Sequence, residues 1–184
     1  MNTTYIIIAV VLLLVILFAL VVPVTRRKRS DHYHERFGPE YDHTVQNLGD
    51  EKKAQNDLDE RIRHVEALDI RPLPVNERQH YLAEWNAVQS QFVDEPGQAA
   101  VQADRLIMEV MQARAYPVAD FEQRAADISV SYPALVSNYR AARQIAIKNE
   151  SHQASTEELR QALIYYRSLF EELLSTEPEA VKEK

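Results

Sequence analysis

A stretch that mixes acids with one arginine holds the side chains best suited to acid–base or binding chemistry. It reads ADFEQRAAD over residues 119–127 and places three carboxylates around Arg124. Paired carboxylates can do acid–base work when burial and neighbouring charges separate their pKa values. The same mixture is more typical of a solvated helix face with an internal Arg–carboxylate pair. We predict a contact surface for a protein partner here, made of Tyr116, Asp120, Phe121, Glu122, Arg124 and Asp127.

The nearest approach to a metal site is the run DHYHE at residues 31–35. Its two histidines are two residues apart, so on a helix they do not share a face, whereas helical zinc motifs space their ligands by four. The chain has no cysteine and only three glycines. These counts exclude thiolate chemistry and argue against phosphate-cradling loops. We predict no catalytic, cofactor-binding or metal-binding residue, no cofactor, and a protein that is not an enzyme.

An aromatic group around Trp85 is the remaining candidate for ligand binding. Trp85 lies on one helical stripe with Tyr81 and Phe92. Such a group can cage a ligand, but apolar residues spaced by three or four along a helix are typical of a core. We therefore predict that Trp85 is buried inside a helical bundle.

Residues 5–24 form an uncharged run, YIIIAVVLLLVILFALVVPV, which precedes Arg26, Arg27, Lys28 and Arg29. A helix of roughly 20 residues rises about 30 Å, the hydrocarbon thickness of a bilayer. The lack of a basic N-terminal region and of a small-residue cleavage site favours a retained span over a signal peptide. Because the basic residues flank only its C-terminal end, we predict a single-pass protein of the cell membrane with a cytoplasmic C-terminal domain.

The rest of the chain is acidic. Residues 31–184 hold all 28 Asp and Glu residues but only 17 of the 21 Lys and Arg residues, which gives them a formal charge of −11. Phosphate contacts require Lys and Arg, so we expect no nucleic-acid partner. We expect the lipid bilayer to contact only the basic collar, defined as Arg26, Arg27, Lys28 and Arg29.

Apolar spacing and helix breakers predict an all-α protein, in which one N-terminal transmembrane helix precedes a soluble antiparallel helical bundle. Asp50, Asp94 and Ser155 are predicted N-caps, and Ser155 with Glu158 fits a capping box. The predicted segments are a tail at 1–4, the span at 5–24, the collar and juxtamembrane segment at 25–49, an amphipathic helix at 50–68, a proline linker at 69–74, a five-helix bundle at 75–175 and a charged tail at 176–184.

The amphipathic helix at 50–68 carries one narrow apolar stripe, and its other faces hold charges of both signs. The stripe consists of Ala54, Leu58, Ile62, Val65 and Leu68. A stripe this narrow favours a helix that lies on a partner rather than one enclosed in a core. We therefore expect self-association through this helix, or contact with an unidentified protein partner.

Several short motifs together resemble a family of small bacterial single-span membrane proteins, whose members are often labelled secreted. The motifs are RFGPEYD at 36–42, ALDIRPL at 67–73 and DFEQRAAD at 120–127. The resemblance implies a bacterial origin and a single-span layout. It implies no activity, cofactor or catalytic residue.

The sequence predicts a membrane-tethered cytoplasmic helical domain that recruits or organises a protein partner. Two alternatives stay open. The first is an inverted topology in which the domain faces the periplasm. The second is a carboxylate-based hydrolase or lyase, which requires the acids of the 119–127 stretch to point into a cleft.

Overall fold

The computed structural model describes residues 29–175. This part of the chain is all-helical and contains no strand, which confirms the predicted all-α class for these residues. Its helices are α1 at residues 29–37, α2 Pro39–Leu48, α3 Glu51–Glu66, α4 Val75–Gln91, α5 Pro96–Ala113, α6 Phe121–Ser131, α7 Pro133–Glu150 and α8 Thr156–Leu174.

The expectation of a membrane helix ahead of the bundle requires correction. None of the helices between residues 29 and 175 combines the length and hydropathy that a bilayer span requires. The predicted span at 5–24, the tail at 1–4 and the charged tail at 176–184 lie outside the described residues. The single-pass membrane location therefore has no support in the described structure.

Local signals in the sequence define most helix ends. The Asp50 carboxylate accepts from the Lys53 amide at 2.8 Å, and Ser155 forms the predicted capping box with Glu158. The prediction for Asp94 is wrong, because the residue at the N-cap of α5 is Glu95, whose side chain makes no capping hydrogen bond. That helix still begins at a proline, whose fixed φ suits the first helical position.

The larger core lies between α4, α5, α6, α7 and α8. Trp85 stacks on Phe170, with ring centroids 4.8 Å apart, and Tyr81 and Phe92 pack against the same cluster. The predicted burial of Trp85 is therefore confirmed. Helix α8 packs against both α5 and α7, which also contact each other.

A second core joins α1, α2 and α3 with Val130 of α6. Its buried members are Tyr33, Phe37, Tyr41, Ala54, Leu58, Val65 and Val130, with Ile62 packed against them. Most of the apolar stripe of the amphipathic helix is thus covered by the chain's own aromatic residues. The stripe is not available on the surface for self-association, because α1 and α2 lie on it.

The proline linker is tied to the end of α5. The Arg71 amide donates to Arg114 O at 3.1 Å, and its guanidinium donates to Ala113 O at 2.8 Å. The buried Arg114 guanidinium in turn donates to Tyr132 Oη at 2.8 Å and to Leu173 O at 2.9 Å. These bonds satisfy carbonyls at two helix ends and hold the linker against the bundle.

Candidate functional site

A concave surface lined by charged side chains lies beside the contact of α3 with α6, and it also includes a residue of α7. The concavity has a volume of about 510 Å³. We call it the α3–α6–α7 cleft, and its lining residues are Asp57, Glu60, Arg61, His64, Asp120, Glu122, Gln123, Ala126 and Arg140. Four of these side chains are carboxylates and two are guanidinium groups.

A buried carboxylate of α2 holds both arginines of the cleft. The Glu40 side chain is 1% exposed. Its Oε1 accepts from Arg61 Nη1 at 2.8 Å and from Arg140 Nη2 at 3.0 Å, and its Oε2 accepts from Arg140 Nε at 3.3 Å. A charge this deeply buried is stable only when it is paired and hydrogen-bonded. Glu40 therefore joins α2, α3 and α7 and fixes the two guanidinium groups.

The outer ends of the same arginines are also paired. Arg61 Nη2 lies 2.7 Å from Asp57 Oδ2, and Arg140 Nη1 donates to Glu122 Oε2 at 2.6 Å. The Glu122 side chain is 75% exposed. Each guanidinium group is thus paired with two carboxylates. The carboxylates therefore outnumber the guanidinium groups at the rim of the cleft, and the rim is acidic.

A second buried carboxylate, Asp127 of α6, lies directly behind the cleft wall. It is fully buried, and its Oδ1 accepts from Gln123 Nε2 at 2.9 Å and lies 3.5 Å from His64 Nε2. Its Oδ2 has no hydrogen-bond partner among residues 29–175. Burial raises the pKa of Asp127, and the hydrogen bond from Gln123 acts in the opposite direction.

The six residues predicted as one contact surface do not share a surface. Asp120 and Glu122 are exposed and line the cleft, while Phe121 is partly buried against the Tyr139 ring. The other three predicted contacts, Tyr116, Arg124 and Asp127, are buried. Only the two exposed acids are therefore available for direct contact with a partner.

Arg124 and Tyr116 have internal partners. The Arg124 guanidinium donates to Tyr139 Oη at 3.2 Å and to Ala119 O at 3.3 Å. The Tyr116 hydroxyl donates to Ser131 Oγ at 3.1 Å. Arg124 makes no ion pair with the acids beside it in sequence, so the expected internal Arg–carboxylate pair does not form within the described residues.

The three acids of the 119–127 stretch do not converge on one point. Asp120 is the N-cap of α6, accepting from the Gln123 amide at 2.9 Å, and Glu122 pairs with Arg140. Asp127 alone points inward. Paired-carboxylate catalysis requires two carboxyl groups that face one reacting centre, and this geometry does not supply it.

A third buried carboxylate, Asp104 of α5, lies inside the larger core. Burial raises its pKa, and the positive charges of Arg124 and Arg143 act in the opposite direction. Its Oδ1 has no hydrogen-bond partner in the described part of the chain. Asp104 does not line the α3–α6–α7 cleft, which makes it a useful reference for Asp127.

The structure also bears on the possible metal site and on the basic collar. No set of three or more His, Cys, Asp or Glu residues between 29 and 175 is arranged to hold a metal ion. Arg29, the only collar residue described, donates to Asp59 Oδ2 at 3.4 Å on α3. This collar residue therefore contacts the protein itself.

Comparisons with known proteins give no relative. No protein-family model matches the chain, no curated protein matches it, and no solved structure matches it. The family resemblance of the three motifs therefore stays a prediction.

Sequence reasoning missed Glu40, Arg140 and His64, and it predicted Asp127 as a contact surface residue rather than a buried one. Glu40 and Arg140 are 100 positions apart, and Asp127 and His64 are also distant in sequence. One local signal existed for Glu40, because it lies in the RFGPEYD motif and in the first turn of the short helix that begins after Gly38. Nothing local indicates its two arginine partners.

Proposed function

We propose that this protein is a protein-interaction module that binds a basic segment of a partner protein in the α3–α6–α7 cleft. The observation that carries the proposal is that the exposed charges at the cleft rim are acidic, while the arginines below them are already paired with carboxylates. Glu60, Asp120 and Glu122 are exposed at the cleft, whereas both cleft arginines are mostly buried and paired with carboxylates.

The balance of charge supports a cationic partner. Four carboxylates and two guanidinium groups line the cleft, and Glu40 beneath them adds a further negative charge. The protein as a whole has a formal charge of −7. A field of this sign attracts a basic segment and repels acidic ones.

The fixed framework around the cleft also supports binding. The Glu40 hub holds α2, α3 and α7 together, and the two arginines on it are engaged at both ends. Side chains that are already held lose little conformational entropy when a partner docks. The cleft is therefore preorganised for a segment that approaches along its rim.

The test uses the 184-residue chain and three fluorescent heptapeptides with glycine at the odd positions. The other positions carry lysine, arginine or glutamate. We expect the lysine and arginine peptides to bind at low salt, and to bind more weakly as salt screens the rim. The glutamate peptide is expected not to bind. Fluorescence anisotropy measures all three.

A matched pair of variants locates the binding. Glu122→Lys reverses a charge on the cleft rim and is expected to lower the affinity for the lysine peptide by about fivefold or more. Glu157→Lys is the control, because Glu157 is 71% exposed, also occupies the second position of its helix and also pairs with an arginine at 2.6 Å. It does not line the cleft. Equal effects of the two variants, or no binding of either basic peptide, would contradict the proposal.

A further inference from the structure

Among the described residues that line the α3–α6–α7 cleft, His64 is the only histidine. Its side chain is 44% exposed, and its Nε2 lies 3.5 Å from Oδ1 of the buried Asp127. Histidine is the side chain whose charge ordinarily changes between about pH 5 and 8, where aspartate, glutamate and arginine ordinarily keep theirs. The charge of the cleft lining can therefore change with pH through this one residue.

The charged side chains that share the cleft with His64 come from α3, α6 and α7. They are Asp57, Glu60, Arg61, Asp120, Glu122 and Arg140, with the buried Glu40 and Asp127 behind them. Four carboxylates and two guanidinium groups give the lining a formal charge of −2 when His64 is neutral. A proton on His64 changes this charge to −1. Half of the formal charge that attracts a basic segment to the lining is then cancelled.

A protonated His64 has acidic neighbours on two helices. Glu60 of α3 is exposed and lies four positions before His64, and residues four apart on a helix are neighbours. Asp127 of α6 is the other neighbour. Glu60 is also one of the exposed acids that line the cleft. A protonated His64 therefore competes with a basic segment for this carboxylate.

We propose that His64 makes binding in the cleft depend on pH, because a neutral His64 allows the basic partner segment to bind and a protonated His64 favours its release. The proposal rests on the function proposed above and names the regulation of that site. The proton on His64 and the basic segment are attracted by the same carboxylates. Each therefore lowers the affinity of the chain for the other.

The experiment measures the affinity of the 184-residue chain for the lysine heptapeptide at pH 8 and pH 5.5, at constant ionic strength. Fluorescence anisotropy is used with a dye whose emission does not depend on pH. We expect the affinity of the unaltered chain to be about threefold lower or more at pH 5.5, because a positive charge is added beside the peptide. His64→Gln stays neutral and is expected to bind equally well at both pH values.

A second variant tests the charge at a single pH. His64→Lys carries a positive charge at pH 8 as well as at pH 5.5. We expect its affinity for the lysine peptide at pH 8 to be lower than that of His64→Gln by about threefold or more. Equal affinities of these two variants at pH 8 would overturn the proposal.

His34→Gln is the matched control. His34 Nε2 also lies 3.5 Å from an aspartate oxygen, Oδ1 of Asp42, and its side chain is 47% exposed. Neither His34 nor Asp42 lines the cleft. Each of the two glutamine variants thus removes one half-exposed histidine beside an aspartate. We expect His34→Gln to keep the full pH dependence of the unaltered chain.

The remaining outcomes separate the two proposals. If the unaltered chain binds the lysine peptide equally well at both pH values, or if His64→Gln keeps the pH dependence, the role of His64 is overturned and the acidic cleft stands. If the unaltered chain binds neither basic peptide at pH 8, the proposed function fails and the regulation fails with it.

Discussion

The two buried carboxylates around the cleft, Glu40 and Asp127, differ in how completely they are satisfied. Glu40 accepts three hydrogen bonds from two guanidinium groups, and both of its oxygens are engaged. Asp127 accepts one hydrogen bond from an amide and lies near one imidazole, with its second oxygen free among the described residues. Both side chains are almost entirely shielded from solvent.

The difference separates a stabilising carboxylate from a destabilising one. A buried charge with charged partners on every side holds elements together, and its removal leaves those partners uncompensated. A buried charge with an oxygen that has no donor keeps part of its desolvation cost, which lowers stability. We infer that Glu40 stabilises the folded chain around the cleft and that ionised Asp127 destabilises it.

The largest effect is expected from Glu40→Gln. It leaves two mostly buried guanidinium groups without their shared charge, so we expect a loss of about 3 kcal/mol in the free energy of unfolding. Urea denaturation followed by circular dichroism measures it. A loss below about 1 kcal/mol would mean that the pairing of each arginine with Asp57 or Glu122 is sufficient, and that Glu40 is not the hub.

The opposite sign is expected from Asp127→Asn. At neutral pH the substitution removes a buried charge that is poorly paired, and it keeps an acceptor for Gln123. We expect a gain of about 1 kcal/mol in the free energy of unfolding. Asp120→Asn is the control, because asparagine caps a helix about as well as aspartate.

The gain from Asp127→Asn is expected to depend on pH. Because burial raises the pKa of Asp127 above its ordinary value of 3.8, ionisation is unfavourable in the folded state. The unfavourable contribution is present above the raised pKa and absent below the ordinary one. The two proteins should therefore converge in stability as the pH falls through that window. A gap that stays constant from neutral pH to below 3.8 would show that the charge of Asp127 is not its cause.

The smallest effect is expected from Glu122→Gln. The Glu122 side chain is 75% exposed, and its partner Arg140 keeps Glu40. We expect a change of about 0.5 kcal/mol or less in the free energy of unfolding. A loss approaching that of Glu40→Gln would remove the distinction between the rim and the hub.

The sequence correctly predicted the features that depend on residues close together along the chain. The capping residues Asp50 and Ser155, the all-α class of residues 29–175 and the burial of Trp85 all follow from spacings of three or four residues. Such signals report local hydrogen bonds and the faces of single helices.

The failures concern partners that are distant in sequence. The narrow stripe of α3 was expected to face another protein, but aromatic residues of α1 and α2 cover it. Arg124 and Asp127 were expected at the surface because of their charge. Both are buried, where Arg124 donates to Tyr139 and Asp127 lies next to His64. Residue type alone does not show that a charged side chain has a partner, since the partner comes from another helix.

The most direct test of the account is the titration of the Asp127 carboxyl carbon by ¹³C NMR in the 184-residue chain. We expect the apparent pKa to lie above the ordinary aspartate value, because burial disfavours the charged form. An apparent pKa at or below the ordinary aspartate value would contradict the account.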